Sequence, residues 1–337
     1  MACSASPEPT TEQAGAANSG GRGETGYTTA GFLVQRPGTD SIDFDCTAQS
    51  PSPNCVRNDG AANAPHCGAA LVSPFFALTA AHCLDLHPDS PLDTGQVRYE
   101  SVLVHDAPPL AVGVGNFSER NIVPAHYVIV HPDYVPSNRD RPALNDVALV
   151  KILTPEGAVT ATLNDASNEV RPGGCDFRFV GYGYHWTRTQ WTLSERRSHT
   201  ACSLSFDQVQ AFGNRYGSEV PIAPGNLAFQ GHDGNSCIAD SGSAVFVDGT
   251  NDLVGILSAM ISAPDPEGDV PVCPAIESSI ASVQSVYQQR HFIGAVTNTC
   301  THKATVQSCL NALGISRQLH KTPSPVWLGP PFPKPRW

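Results

Sequence analysis

The chain has 337 residues, enough for one large domain or two closely joined lobes, and its 29 glycines, 29 prolines and 15% charged residues favour strands punctuated by turns over long amphipathic helices. A formal net charge of -11 excludes the clustered basic footprint of a nucleic-acid-binding protein, and the absence of any apolar run of roughly eighteen residues excludes a membrane-spanning helix. Eleven cysteines without CxxC or HxxxH spacing read as disulfides of an oxidising compartment, secreted or in the cell envelope, rather than as metal ligands.

Residues 1–31 lack apolar periodicity, contain Gly20-Gly21-Arg22-Gly23, and have the composition of a disordered N-terminal tether. Within them Met1-Ala2-Cys3-Ser4-Ala5-Ser6 resembles the surroundings of a bacterial lipoprotein cleavage site, which would make Cys3 a lipid anchor. The hydrophobic segment of such a signal is missing ahead of Cys3, so either the start is truncated or the match is coincidence. Between Asp40 and Pro65 a Pro-, Asn- and Asp-rich stretch holds Cys46 and Cys55 and reads as a disulfide-closed loop.

Short β-like runs follow at Ala70–Val72, Phe75–Leu78, Val97–Val104, Leu110–Val114, Tyr127–Val130 and Val147–Ile152. After a linker at Thr154–Gly157, a second series runs through Phe177–Val180, Leu204, Leu227–Phe229, Ala244–Val247 and Leu253–Leu257. Two successive sets of about six strands predict an all-β protein of two tandem antiparallel barrels with a cleft between them, although composition alone leaves a sandwich open. The recurrence of Ile276, Ile280, Val283, Tyr287 and Arg290-His291 with Phe292 at three- or four-residue steps predicts a C-terminal helix. Cys300 and Cys309 are expected to close a small loop after it, and Thr322–Trp337 reads as an extended Pro-rich tail.

Three segments carry chemistry. Cys67-Gly68-Ala69-Ala70-Leu71-Val72-Ser73-Pro74-Phe75-Phe76-Ala77-Leu78-Thr79-Ala80-Ala81-His82-Cys83 places a histidine at the end of a buried strand, where an imidazole can take a proton from a hydroxyl. Asn145-Asp146-Val147-Ala148-Leu149-Val150 sets a carboxylate at the mouth of an apolar strand. Asn235-Ser236-Cys237-Ile238-Ala239-Asp240-Ser241-Gly242-Ser243-Ala244 sets a serine in a loop between an aspartate and a glycine. All three resemble the corresponding segments of trypsin- and chymotrypsin-like serine proteases, in the order His, Asp, Ser.

The resemblance spans roughly residues 60–295. It implies a protease domain over 32–295 with lobes at about 32–155 and 156–295, and leaves 296–337 as a disulfide loop and tail. It also implies a Ser241 nucleophile, a His82 general base, Asp146 as its orienter, and an oxyanion hole from the amides of Ala239 and Ser241. Cys67–Cys83 would pin the histidine, Cys237–Cys273 would cross the pocket rim, and Cys175–Cys202 would join neighbouring strands. With Cys46–Cys55 and Cys300–Cys309 this leaves Cys3 over. No metal or cofactor is required.

Several positions depart from the family pattern. Ala239 stands where a glycine is usual, and its Cβ narrows the backbone angles that aim the amide. No Ile-Val-Gly-Gly segment precedes Cys67, so Asp240 must find a partner other than a processed amino terminus. Asn235 at the pocket floor, with Ser236 beside it, argues against selection of Lys or Arg. Ser258, Ala259 and Met260 fall on the substrate-aligning strand, where Met260 either obstructs the pocket or packs beside it. The reading is a serine endopeptidase acting on protein or peptide substrates. The alternatives are a protease-fold binding module with a closed oxyanion hole and an esterase-like hydrolase on the same fold.

Overall fold

The computed structural model describes residues 22–23, 26–35, 65–84, 96–99, 102–106, 110–114, 121–137, 142–152, 159–164, 170–183, 185–186, 191–192, 196–217, 220–237, 239–263 and 273–314. In chain order the strands are β1 (Arg22–Gly23), β2 (Ala30–Gln35), β3 (Pro65–Ser73), β4 (Phe76–Thr79), β5 (Gln96–Tyr99), β6 (Val102–Asp106), β7 (Leu110–Val114), β8 (Asn121–Val130) and β9 (Ala148–Ile152). They continue with β10 (Thr162–Leu163), β11 (Phe177–Gly181), β12 (His185–Trp186), β13 (Trp191–Thr192), β14 (Arg197–Ser203), β15 (Asn226–Gly231), β16 (Ala244–Val247), β17 (Asp252–Ser262) and β18 (Ser279–Ser285). The α-helices among the described residues are α1 (Phe206–Tyr216), α2 (Val286–Cys300) and α3 (Val306–Ala312).

Two barrels result, as the two series of strands predict, and the sandwich alternative falls. In the first, β8-β7-β2-β3-β4-β9 pair in succession and β9 returns to β8, with the β5–β6 hairpin attached through β6 to β8. In the second, β14-β11-β16-β17-β18-β15 pair in succession and β15 returns to β14. Closure removes the open edges that a flat sheet would leave. Leu71, Ala77, Val128 and Val150 fill the first barrel, while Phe177, Phe229, Val254 and Val283 fill the second. A larger cluster containing Phe76, Tyr127, Phe246, Ile256, Ile293 and Leu310 joins the two barrels to the C-terminal helices.

Three elements differ from expectation. The run Val97–Val104 is not one strand but the antiparallel pair β5–β6, in which Tyr99 lies opposite Val102. The helix expected from Ile276 onward begins only at Val286: Ile276–Ser278 is a single 3-10 turn and Ser279–Ser285 is strand β18, buried at every residue. A strand enclosed on both faces carries apolar residues without a period of two, and here their spacing imitates a helix. The Cys300–Cys309 disulfide closes a small loop as expected, but the loop already contains the first residues of α3, capped by Thr305 and Ser308.

Both ends of the described chain cross between lobes. β1, inside the segment that composition assigns to a tether, pairs with β14 of the second barrel. The end of α2 and the segment after it reach the first barrel, where Tyr127 Oη donates to the carbonyls of Cys300 and Lys303 at 3.4 and 3.3 Å. No helix among the described residues is long and apolar enough to cross a membrane.

Candidate active site

His82 lies in the 3-10 turn Ala81–Leu84 that ends β4, and the Cys67–Cys83 disulfide ties this turn back to β3. Thr79 Oγ1 donates to the Gly68 carbonyl at 2.8 Å and secures the strand end just before the histidine. Asp146 lies just ahead of β9, the strand paired with β4, and is fully buried. Its Oδ1 accepts the His82 backbone N–H at 2.8 Å, and its Oδ2 accepts from His82 Nδ1 at 2.7 Å and from Ser258 Oγ at 2.6 Å. An ionised carboxylate only accepts, so Nδ1 carries the proton and Nε2 keeps its lone pair for a hydroxyl. Burial pushes the Asp146 carboxyl upward, but the attraction and hydrogen bonds of His82, with the Ser258 bond, outweigh it and hold the group below its ordinary value.

Ser241 sits in the loop that leads into β16. The Gly68 N–H donates to its carbonyl at 2.6 Å, which fastens the serine loop of the second barrel to β3 of the first. Gly242 follows at φ 78°, and a Cβ there would lie 2.5 Å from Gly68 O and Thr79 Oγ1 and 3.2 Å from Ala80 N. Only glycine lets this loop close so tightly on the strand end that delivers His82. The three sequence motifs therefore converge where the barrels meet.

Ala239 has φ 71°; among the described residues only Asn145, at φ 49°, shares a positive φ without being glycine. The expected glycine is missing, yet the alanine occupies the left-handed region that a glycine would favour. Such a conformation costs a residue with a Cβ on the order of 1 kcal/mol. Neither the Ala239 nor the Ser241 N–H donates to a protein acceptor among the described residues.

Asp240, whose partner the sequence leaves open, is buried with its side chain turned toward the Gly181-Tyr182-Gly183 turn. Gly183 N donates to Oδ1 and Cys237 N to Oδ2, each at 2.8 Å, and Ser243 Oγ lies 3.5 Å from Oδ1. A Cβ at Gly181 or Gly183 would collide with this carboxylate, so the two glycines make its cradle. Burial dominates and raises the Asp240 carboxyl to about 6, against the lowering effect of the two backbone donors, Ser243 and the charge of Arg197.

Asn235 is buried and its Nδ2 donates to Pro274 O and to Ser279 Oγ, both at 2.7 Å, with the buried Ser236 following it. Met260 packs against the second barrel's core opposite Ala281 on β18, and Ala259 before it is exposed. Ser258 lies on β17, and its side chain donates to Asp146. Disulfides join Cys67–Cys83, Cys175–Cys202, Cys237–Cys273 and Cys300–Cys309, whereas Cys3, Cys46 and Cys55 lie outside the described residues. Cys67, Cys83 and His82 cluster closely enough to suggest a metal site, but both sulfurs are bonded to each other and neither is a thiolate ligand.

Two residues near the site are absent from the sequence reading. Gln284 on β18 and Gln289 on α2 hydrogen-bond the Asn145–Asp146 turn. The available signal is a glutamine within the otherwise small and apolar run Ser279–Val286, since a long amide in a buried strand must find a partner there.

Comparison with known proteins agrees with the motifs and the barrels. The trypsin family model matches residues 52–276. The chain is similar to the trypsin Tyr p 3.0101 of Tyrophagus putrescentiae, 25% identical over 246 residues that cover 70% of this chain and 74% of that one. With two antiparallel barrels meeting at His82, Asp146 and Ser241, the chain belongs to the trypsin family of serine proteases.

Proposed function

We propose that the protein is an active serine endopeptidase working through an acyl-enzyme, with Ser241 as nucleophile, His82 as general base and Asp146 as the group that orients the imidazole. The observation that carries this reading is the fully buried Asp146, which takes two hydrogen bonds from His82 and one from Ser258 and thereby fixes ring position and tautomer together. His82 Nε2 removes the Ser241 hydroxyl proton as Oγ attacks the peptide carbonyl carbon. The oxyanion forms against the amides of Ala239 and Ser241. The C–N bond then breaks as His82 returns the proton to the departing amine. Water, deprotonated by the same imidazole, hydrolyses the ester.

The left-handed Ala239 and the two uncommitted amides support catalysis over the binding-module alternative, because a closed hole would engage or turn away those donors. With neutral Asn235 at the floor, the pocket favours neutral or apolar side chains over Lys or Arg. The disulfides suit secretion or the cell envelope. In this reading the two-barrel body of about residues 32–295 is the catalytic unit, and Cys3 in the preceding tether is the place for a lipid anchor.

The test is intact-protein mass spectrometry after exposure to a fluorophosphonate. One adduct per chain, lost in Ser241→Ala, is the expected result. A parent that stays unlabelled while Ala239→Gly reacts would instead establish the closed-hole alternative.

A further inference from the structure

Asp146 belongs to the first barrel, yet half of what holds it comes from the second. Besides Ser258 Oγ on its carboxylate, its backbone N–H donates to Gln284 Oε1 at 3.1 Å. Gln284 sits on β18 at 2% exposure, so no solvent replaces this acceptor if it is lost. The residue before, Asn145, is held in the left-handed region at φ 49°, and its side chain is bracketed on both sides. Gln289 Nε2 on the first turns of α2 donates to Asn145 Oδ1 at 3.0 Å, and Asn145 Nδ2 donates to Asp133 O at 3.0 Å. The turn is further narrowed by Val147 N donating to Asn145 O at 2.7 Å.

We infer that Gln284 and Gln289, neither of which touches the reacting atoms, are positioning residues for Asp146: one holds its amide and the other its strained neighbour, so that the second barrel sets the direction of the first barrel's carboxylate. A turn at positive φ outside glycine persists only where its surroundings over-determine it, and these two amides are the interactions that do so from the C-terminal strand and helix. Moving the turn displaces both carboxylate oxygens from His82, whose backbone and ring they grip together. Small displacements of an orienting group lower the rate steeply and weaken the stabilisation of the imidazolium. The inference rests on the catalytic reading above, and its test separates the two.

The experiment compares the full chain with Gln284→Met and Gln289→Met by two readouts: the NMR titration midpoint of His82, which needs no turnover, and the rate of Ser241 labelling by a fluorophosphonate. Each variant is expected to lower the midpoint by about half a pH unit and to slow labelling by roughly tenfold or more. Asn251→Ala, which removes comparable bonds to Thr160 O and Thr29 Oγ1 away from Asp146, should change neither readout. The inference is overturned if Gln284→Met and Gln289→Met fold and keep the parent's midpoint and labelling rate. Should Gln284→Met fail to fold, Gln289→Met decides by the same criterion. A parent that never labels while the variants still shift the His82 midpoint upholds the positioning role and removes the peptidase reading.

Discussion

Among the described residues, the two non-glycine positions of positive φ adjoin the proposed reacting groups: Asn145 precedes Asp146, and Ala239 lies two before Ser241. Asparagine tolerates this region by bonding through its side chain, whereas alanine has only its Cβ and pays in strain. Ala239→Gly therefore trades relieved strain against a more flexible unfolded chain. Urea unfolding should show a change of no more than about 1 kcal/mol, with labelling as fast as or faster than in the parent. Ala239→Val, with a branched Cβ at the same φ, is expected to lose about 2 kcal/mol and to slow labelling on the order of a hundredfold as the amide turns away. Asp240 makes the second prediction at this scale. Its carboxyl is raised from 3.8 to about 6, so the folded chain holds this proton more tightly than the unfolded one. The resulting stability is complete below pH 3.8 and is lost as pH rises through about 6. Asp240→Asn should remove that contribution from urea unfolding measured between pH 4 and 6; an unchanged slope would contradict the assignment. The segments of the proposed reacting residues, His82, Asp146 and Ser241, stand out in the sequence because each is a long motif. The cradle of Asp240 and the grip of Gln284 do not, because both depend on contacts across a separation no local pattern records.

Among the elements, β9 and α2 meet through a buried cation. Lys151 on β9 sends Nζ to the carbonyl of Cys300 at 3.4 Å and to that of Thr301, and lies 4.5 and 4.8 Å from the ring centroids of Phe75 and Phe76. It thus caps the negative end of α2. Burial lowers the Lys151 ammonium from 10.5 to about 8, so its protonated form is penalised in the folded state below that pH. This penalty is relieved as pH rises from about 8 toward 10.5. Lys151→Met should flatten that rise and, by leaving the Thr301 carbonyl without its ammonium donor while Cys300 O keeps Tyr127 Oη and Lys303 N, reduce stability at pH 7 by about 1 kcal/mol in urea unfolding. A variant as stable as the parent would show that the aromatic and carbonyl contacts contribute nothing net. Strands flanked by turns were legible, as β4, β7, β9, β11 and β16 attest, because their apolar runs end at breaking residues. α1 was missed despite Ser205 and Gln208, which form a capping box: its mean face is polar and only Val209, Phe212 and Gly213 are buried. β18 was misread because enclosure on both faces erased the alternation that marks a strand.

Across the whole molecule the barrels are interlocked by their neighbours' ends. Tyr27, just before β2, stacks on Phe246 of the second barrel at 4.9 Å and donates to Asp248 at 3.1 Å, while α3 buries Leu310 in the cluster that also holds Phe76 and Ile129 of the first. Because one core cluster draws on both barrels, neither can unfold without exposing the other, and calorimetry should record a single transition. Two separated transitions would contradict this coupling. The site depends on the same arrangement, since Gly68 and Ser241, Asp146 and Ser258, and Asp146 and Gln284 are all contacts between lobes. The most direct test of the central claim is to incubate the chain and its Ser241→Ala variant with a mixture of unlabelled peptides and identify new termini by mass spectrometry. Internal cleavages by the parent are expected after neutral or apolar side chains, without enrichment at Lys or Arg, and none by Ser241→Ala. Cleavage that persists in Ser241→Ala, or its absence from a parent that labels fully at Ser241, would contradict that claim.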